Sequence, residues 1–412
     1  MTARARNTEI LVVLALTNLV SYAARNALFT VYPDLHARFG IDDAQIGLLQ
    51  TVFMLPHAAA TLPFGWAGDR YDRRRVIIAG MVLASLAGAA GALGHSYEGL
   101  AVSRACVGLG TAAVVPVANS ILSQIFEGPH KASRLSIFNL GLFLGGVVGF
   151  AAGSVFGFPV VVIVLAAPGL VLAGAIGGLP VPAHREPPPD IAWWRYLGQF
   201  VTRFFSEARA LLRIRTLRWI MISTTTMAFA AGGYSAWLAA FLERDKHMTK
   251  TETNVLLSLS LLGGLSGILL GARIADWLRA RYTSGRLWTI AIGMALTIPC
   301  ASLSIELPNS PALYASGVAT LFFISWYHAP MAASVDDLAP AGKRVAAQGL
   351  VIFTMHMLGT APSSWIVGVA SEHLTLHTAM WVPTVGLGVA AVCMALATTG
   401  FGADHARARA AP

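Results

Sequence analysis

About twelve long apolar stretches divide this chain, and they limit its fold more than any other feature. They run over residues 9–32, 45–66, 76–94, 97–121, 134–156, 158–179, 217–242, 252–275, 286–305, 311–333, 345–369 and 378–400. A helix needs roughly 20 residues to cross the bilayer's hydrocarbon core. The stretches are continuous rather than alternating, so they predict spanning helices and not barrel strands. Charged residues make up only 12% of the chain, about half the fraction usual in soluble domains. The first stretch is too long for a secretory leader, and no small-residue cleavage site follows it, so it reads as a retained span.

The net charge of +9 raises the question of nucleic acid, and the placement of the charges answers it. About 23 of the 29 Lys and Arg fall in one set of loops, among them Arg70 to Arg75, the 185–218 segment, Arg273 to Arg286 and Lys343-Arg344. Only Arg38, Arg244, Lys246 and Lys250 fall in the opposite set. That is the positive-inside pattern. It predicts an inner-membrane protein with both termini in the cytoplasm, basic loops against anionic lipid head groups, and no nucleic-acid partner. Cys106, Cys300 and Cys393 lie far apart inside spans, as packing thiols rather than metal ligands or a disulfide. No cofactor or metal is expected.

The chain divides near its middle. A six-helix bundle over 1–179 precedes a proline-rich linker over 180–216, then a second bundle over 217–400 and a tail over 401–412. Within the linker, Trp194, Leu197, Val201, Phe204 or Phe205, Ala208 and Leu211 recur at helical spacing among arginines. They predict an amphipathic helix at the membrane interface, or a solvated linker helix. The halves echo each other. Gly65-Trp-Ala-Gly-Asp69-Arg70-Tyr-Asp-Arg73-Arg74-Arg75 follows the second span, and Ala272-Arg-Ile-Ala-Asp276-Trp-Leu-Arg279 follows the eighth. Parallel six-span repeats are a transporter architecture, with substrate bound near the midplane.

The Gly65–Arg75 loop resembles the signature loop of the major facilitator superfamily. The resemblance implies an all-α membrane fold of twelve helices in two pseudo-symmetric six-helix bundles. Asp69, Arg70 and Arg73, with Arg104, Arg134 and Asp276, would then form gating contacts at the cytoplasmic side. A plain positive-inside anchor is the other reading of that loop. Further phrases are similar to the Spinster family, associated with export of lysophospholipids and sphingosine phosphate. They are Gly47-Leu-Leu-Gln50-Thr-Val-Phe53, Arg104-Ala-Cys-Val-Gly108-Leu-Gly110, Arg134-Leu-Ser-Ile-Phe138 and His356-Met-Leu-Gly359-Thr360. Three acids common in that family are replaced here by Ala24, Thr111 and Thr360. The resemblance therefore does not carry proton coupling by carboxylate across with it.

Ionisable residues inside spans are costly and are functional candidates by default. Here they are Arg25, His57, Arg104, His328 (placed near the end of span ten) and His356, with no acid clearly inside a span. An arginine so placed needs water, carbonyls or an anionic ligand. Arg25 is the prime candidate for a negatively charged head group, since its planar fork can bind two oxygens. A bond to helix-end carbonyls is its other reading. Arg104 reads more readily as structural. His57 follows Pro56 and could simply cap a carbonyl freed by the kink. His356 could pack against a neighbouring helix, and either histidine could titrate near neutral pH. Asn18, Tyr22, Thr111, Asn119, Tyr234, Trp237, Trp326, Tyr327 and Thr360 complete the candidate binding set. Gly141, Gly145, Gly149 and Gly153 form a stripe suited to close helix packing, with Gly263, Gly264, Gly267 and Gly271 in span eight.

The function expected is a monomeric secondary transporter that moves an anionic amphiphile, lysophospholipid or sphingolipid-like, by alternating access. An exporter of drugs or other organic anions is the first alternative, and a non-transporting sensor on the same fold is another. No nucleophile elbow, zinc spacing or phosphate loop points to an enzyme.

Overall fold

The computed structural model describes residues 3–126, 131–181, 193–340 and 343–410, apart from a few side chains within those helices. The chain forms two compact units, residues 1–190 and 191–412. The first holds α1 (Ala3–Asn26), α2 (Tyr32–Phe39), α3 (Asp43–Arg70), α4 (Arg73–Leu93), α5 (Tyr97–Thr111), α6 (Val114–Ile125), α7 (Lys131–Phe156) and α8 (Val160–Gly178). The second holds α9 (Trp193–Leu211), α10 (Arg215–Arg244), α11 (Lys250–Arg279), α12 (Gly285–Glu306), α13 (Pro311–Ile324) and α14 (His328–Leu338). It continues with α15 (Arg344–Thr354), α16 (Ala361–His373), α17 (Leu376–Ala379) and α18 (Trp381–Ala410). The twelve-helix architecture is the expected one, with several spans broken internally. Span four is α5 and α6, which part at Ala112-Ala113 ahead of Pro116. Span ten is α13 and α14 joined by a 3₁₀ turn over Ser325–Tyr327.

Eleven of the spans are apolar enough to cross a membrane by length and composition. The exception is α10, which is 30 residues long but carries Arg215, Arg218 and the run Ser223-Thr-Thr-Thr226. Three hydroxyls of that run bond to carbonyls. Thr224 and Thr226 donate to the Ile220 and Ile222 carbonyls one turn back, and Ser223 donates to Ala390 of α18. Three of the hydroxyls in that polar run thus find carbonyl acceptors within the bundle, while the buried hydroxyl of Thr216 near the helix start has no partner among the described residues.

The repeat seen in the loops extends to the helix starts. Asp42 caps α3 through a reciprocal box with Gln45, and Thr249 caps α11 through one with Glu252. From Asp42 to Thr249 is 207 positions, the same offset as from Asp69 to Asp276. Spans two and eight therefore begin and end in register across the repeat. Each box satisfies two otherwise orphaned N–H groups.

The glycine stripe does what small residues allow. A Cβ on Gly145, Gly149 or Gly153 would stand 2.5 Å from the carbonyl oxygen of Leu19, Ala23 or Ala27. Helix α7 therefore lies backbone-to-backbone along α1, a packing that needs the absent side chains. In the second unit α11 meets span ten the same way. A Cβ on Gly267 would overlap the Phe322 carbonyl, and one on Gly271 would stand 2.7 Å from the Trp326 Cα.

Of the expected linker, residues 182–192 lie outside the described residues. The amphipathic helix exists as α9 and clusters with the second unit. Ala208 and Leu211 join that unit's core, and Phe204 packs edge-on against Phe353 of α15. Phe205 and Val201 remain exposed, at 64% and 42%.

Candidate substrate site

In the first unit the structure gathers Arg25, His57 and Arg104 around one ring, that of Phe53, with Tyr22 beside Arg25 and Thr111 beside His57. The close contact of span two with span four causes this. A Cβ on Gly108 would overlap the Phe53 carbonyl, so the two helices touch there. The Arg104 guanidinium carbon lies 4.5 Å from the Phe53 centroid and that of Arg25 lies 5.8 Å away. The His57 ring stacks on Phe53 at 5.6 Å. His57 Nδ1 is 3.1 Å from the Thr111 hydroxyl and 3.2 Å from the Gly108 carbonyl. Both of these contacts reach across to α5. Phe53 and Gln50 were not singled out from the sequence, although both stand in the phrase 47–53. Their signal was a helical spacing: Gln50, Phe53 and His57 share one face of α3.

Charge is the outstanding property of this cluster. Arg104 is 6% exposed, and its guanidinium has one protein acceptor, Gln50 Oε1 at 3.4 Å; its Nε is buried with no partner. The Arg25 guanidinium makes no hydrogen bond or ion pair among the described residues, and its charged or titratable neighbours are Tyr22 and Arg104. Placing an arginine at a span centre costs about 2.5–3.5 kcal/mol on insertion scales. A cation–π contact returns about 0.5–2 kcal/mol. Two arginines sharing one ring leave that cost unbalanced.

The other two first-unit candidates differ. Asn18 is buried and donates through Nδ2 to the Phe138 carbonyl at 3.0 Å, tying α1 to α7. Asn119 keeps a buried, unpartnered Oδ1.

The second unit holds its candidates apart. Tyr234 and Thr384 share a hydrogen bond between their hydroxyls. Trp237 is wholly buried and donates its indole N–H to the Ser364 carbonyl at 2.8 Å, a core arrangement. Trp326 is 8% exposed, walled by Phe322 and Phe323, with its indole nitrogen unpartnered. His328 opens α14, at the middle of span ten rather than near its end, because the span continues to Leu338. Its Nδ1 is 3.1 Å from the Ser325 carbonyl. His356 and Thr360 stand 3.5 Å apart at the two ends of one turn of π-helix over Met355–Thr360. Such turns are rare and concentrate at functional sites. Nothing in the sequence marked this one.

Around the loop after span two, the side chains of Asp69 and Arg70 lie outside the described residues. Arg73 is buried, donates from Nε to the Gly68 carbonyl at 3.4 Å and bonds Gln124 Oε1, which knots α3, α4 and α6 together. Arg74 pairs with Asp72 at 3.2 Å and also donates to the Leu179 carbonyl. Burial pushes the Asp72 carboxyl up, but the hydrogen bonds from Arg74 outweigh it and hold the group below its ordinary range. Arg134 lies over the Phe126 ring at 5.8 Å, and Asp276 is exposed.

Comparison with known proteins agrees with this architecture. The sequence model of the Major Facilitator Superfamily matches twice, over residues 14–283 and 220–410. Protein spinster homolog 3 of Danio rerio is 27% identical over 393 residues, 89% of this chain and 77% of that one. The sphingosine-1-phosphate transporter of Xenopus tropicalis is 25% identical, over 90% of this chain and 75% of its own. The crystal structure of a bacterial homologue of the human lysosomal transporter Spinster, inward-facing and unoccupied, superposes with a TM-score of 0.82. That match is 18% identical and covers 97% of this chain and 98% of the other. This chain therefore belongs to the major facilitator superfamily, as a Spinster-like multi-pass membrane transporter and not an enzyme.

Proposed function

We propose that the protein is a secondary transporter that moves an anionic amphiphile, of lysophospholipid or sphingolipid type, across the inner membrane by alternating access. One observation carries the reading: Arg25 lies within a span, and its guanidinium meets an aromatic face and no anion among the described residues. A phosphate or carboxylate head group supplies the missing charge, bound through the two-pronged geometry that arginine offers. Tyr22, one turn away, adds a phenol beside it, and His57 adds an imidazole stacked on Phe53. The likeness to a sphingosine-1-phosphate transporter supports a lipid of this class. In this reading the chain works as a monomer with both termini in the cytoplasm. The Asp69 loop, with Arg70, Arg73, Arg104, Arg134 and Asp276, governs closure of the cytoplasmic side.

The test is uptake of labelled lysophospholipid into proteoliposomes, with and without a pH gradient, for wild type and Arg25→Ala. The expected result is uptake by wild type that the substitution removes and the gradient leaves unchanged. Gradient-driven uptake would instead assign the coupling to His57 or His356. A folded wild type that moves no lysophospholipid would overturn the substrate class.

A further inference from the structure

Arg104 is harder to account for than Arg25. It is more deeply buried, and the charged group nearest it, Arg25, has the same sign. A guanidinium offers five N–H donors, yet this one has a single protein acceptor at the long distance of 3.4 Å. A ring contact at 4.5 Å does not neutralise it. Arg104 also lines a cavity of about 50 Å³ inside the first unit, between α1, α4, α5 and α8. Ser21, Ser85, Ser103 and Thr111 bring hydroxyls to its wall, and the rest is mostly apolar. No Asp or Glu lines it. One water needs about 10–15 Å³ of such space, so the cavity has room for a few water-sized particles.

A buried charge is paired, hydrated or bound to a counter-ion. The cavity is too apolar to hydrate an arginine well and too small for a lipid head group with its chain. It suits a compact anion with few donors to satisfy. We propose that Arg104 holds a resident chloride ion in this cavity, and that the ion serves as counter-charge where no carboxylate lines the wall. The site is separate from the head-group site proposed at Arg25, and it is occupied whether or not substrate is present.

The experiment measures binding of radioactive chloride to the detergent-purified protein, without lipid substrate, against sodium gluconate at matched ionic strength. Wild type binds about one chloride per chain. Arg104→Gln removes the cationic donor, and Thr111→Glu places a carboxylate on the wall of the same cavity. Each weakens binding by about tenfold or more, the share of one lost charge-assisted hydrogen bond. If Arg104→Gln does not fold, Thr111→Glu decides the matter. Its thermal midpoint is indifferent to chloride over gluconate, whereas the wild-type midpoint rises with chloride. Three results would overturn the proposal: no chloride binding by wild type, undiminished binding by both variants, or stoichiometric displacement of chloride by lysophospholipid. The readout needs no transport, so it stands or fails independently of the substrate assignment.

Discussion

The two bundles make the same contact in opposite ways. In each, the second and fourth spans of the repeat touch backbone to backbone at glycine. In the first bundle the glycine is Gly108 on span four, and it meets the Phe53 carbonyl on span two. In the second, Gly267 and Gly271 lie on span eight and meet Phe322 and Trp326 on span ten. The exchange decides which aromatic residue sits at the junction and what surrounds it. Phe53 is left between two arginines and a histidine. Trp326 is packed among Phe322 and Phe323 with no cation–π partner among the described residues. The cavities differ in the same sense. That of the first bundle is about 50 Å³ and bears Arg104, whereas the second unit has an open groove of about 550 Å³ lined by Ile298, Trp381, Val385, Val389 and Val392 with no charged residue. A repeat that preserves helix register has thus separated its side chains, with the clustered buried arginines in one half and an apolar groove in the other.

The largest effect expected from breaking this division is on transport. Arg25→Ala should lower lysophospholipid uptake by about tenfold to a hundredfold, the worth of one charge-assisted hydrogen bond at about 1.5–3 kcal/mol. Mutating Trp326 to Phe should leave head-group selectivity unchanged, because no charge lies beside it. Next come the glycines. Gly149→Val forces a side chain into the Ala23 carbonyl, and overpacking of this kind costs about 1–3 kcal/mol. The measure is the thermal midpoint in detergent, and a variant as stable as wild type would mean that α1 and α7 can separate freely. A loss of about 1–3 kcal/mol is also expected for Trp237→Phe, which removes the bond to Ser364 and leaves a small cavity where the indole's second ring was.

The sequence announced the span count, the repeat and the glycine stripe because each is a periodicity, and periodicity survives without knowledge of partners. The side-chain roles were less legible. An aromatic residue in a span reads the same whether it lines a cavity or fills a core, so Trp237 was grouped with Tyr234 although it is wholly buried. Asn18 looked like a polar cavity residue because nothing in its neighbourhood in sequence shows Phe138, 120 positions away, as its partner. Phe53 was passed over for the opposite reason. An apolar residue in an apolar span carries no signal until the register of two helices places cations over it. Arg25 and Arg104 were legible because a charge in a span is expensive wherever it points.

The smallest effect concerns pH. The Asp72 carboxyl is held below its ordinary value, so its contribution is complete above about pH 4, the unfolded value. It is lost only as the pH falls through the lower folded value. Asp72→Asn should therefore lower stability by a small, pH-independent amount between pH 6 and 8, with the difference from wild type closing as the pH falls below about 4, as thermal midpoints across pH would show. A change near neutral pH would point to a histidine instead.

The claim that the first bundle reads charge is tested most directly by comparing two ligands of equal chain length, a lysophosphatidic acid and an uncharged monoacylglycerol, for binding to wild type and to Arg25→Ala. The account predicts that wild type prefers the phosphate by about tenfold or more, and that the preference collapses in the variant while affinity for the uncharged lipid holds. Equal binding of the two by wild type, or a preference that survives in Arg25→Ala, would contradict it.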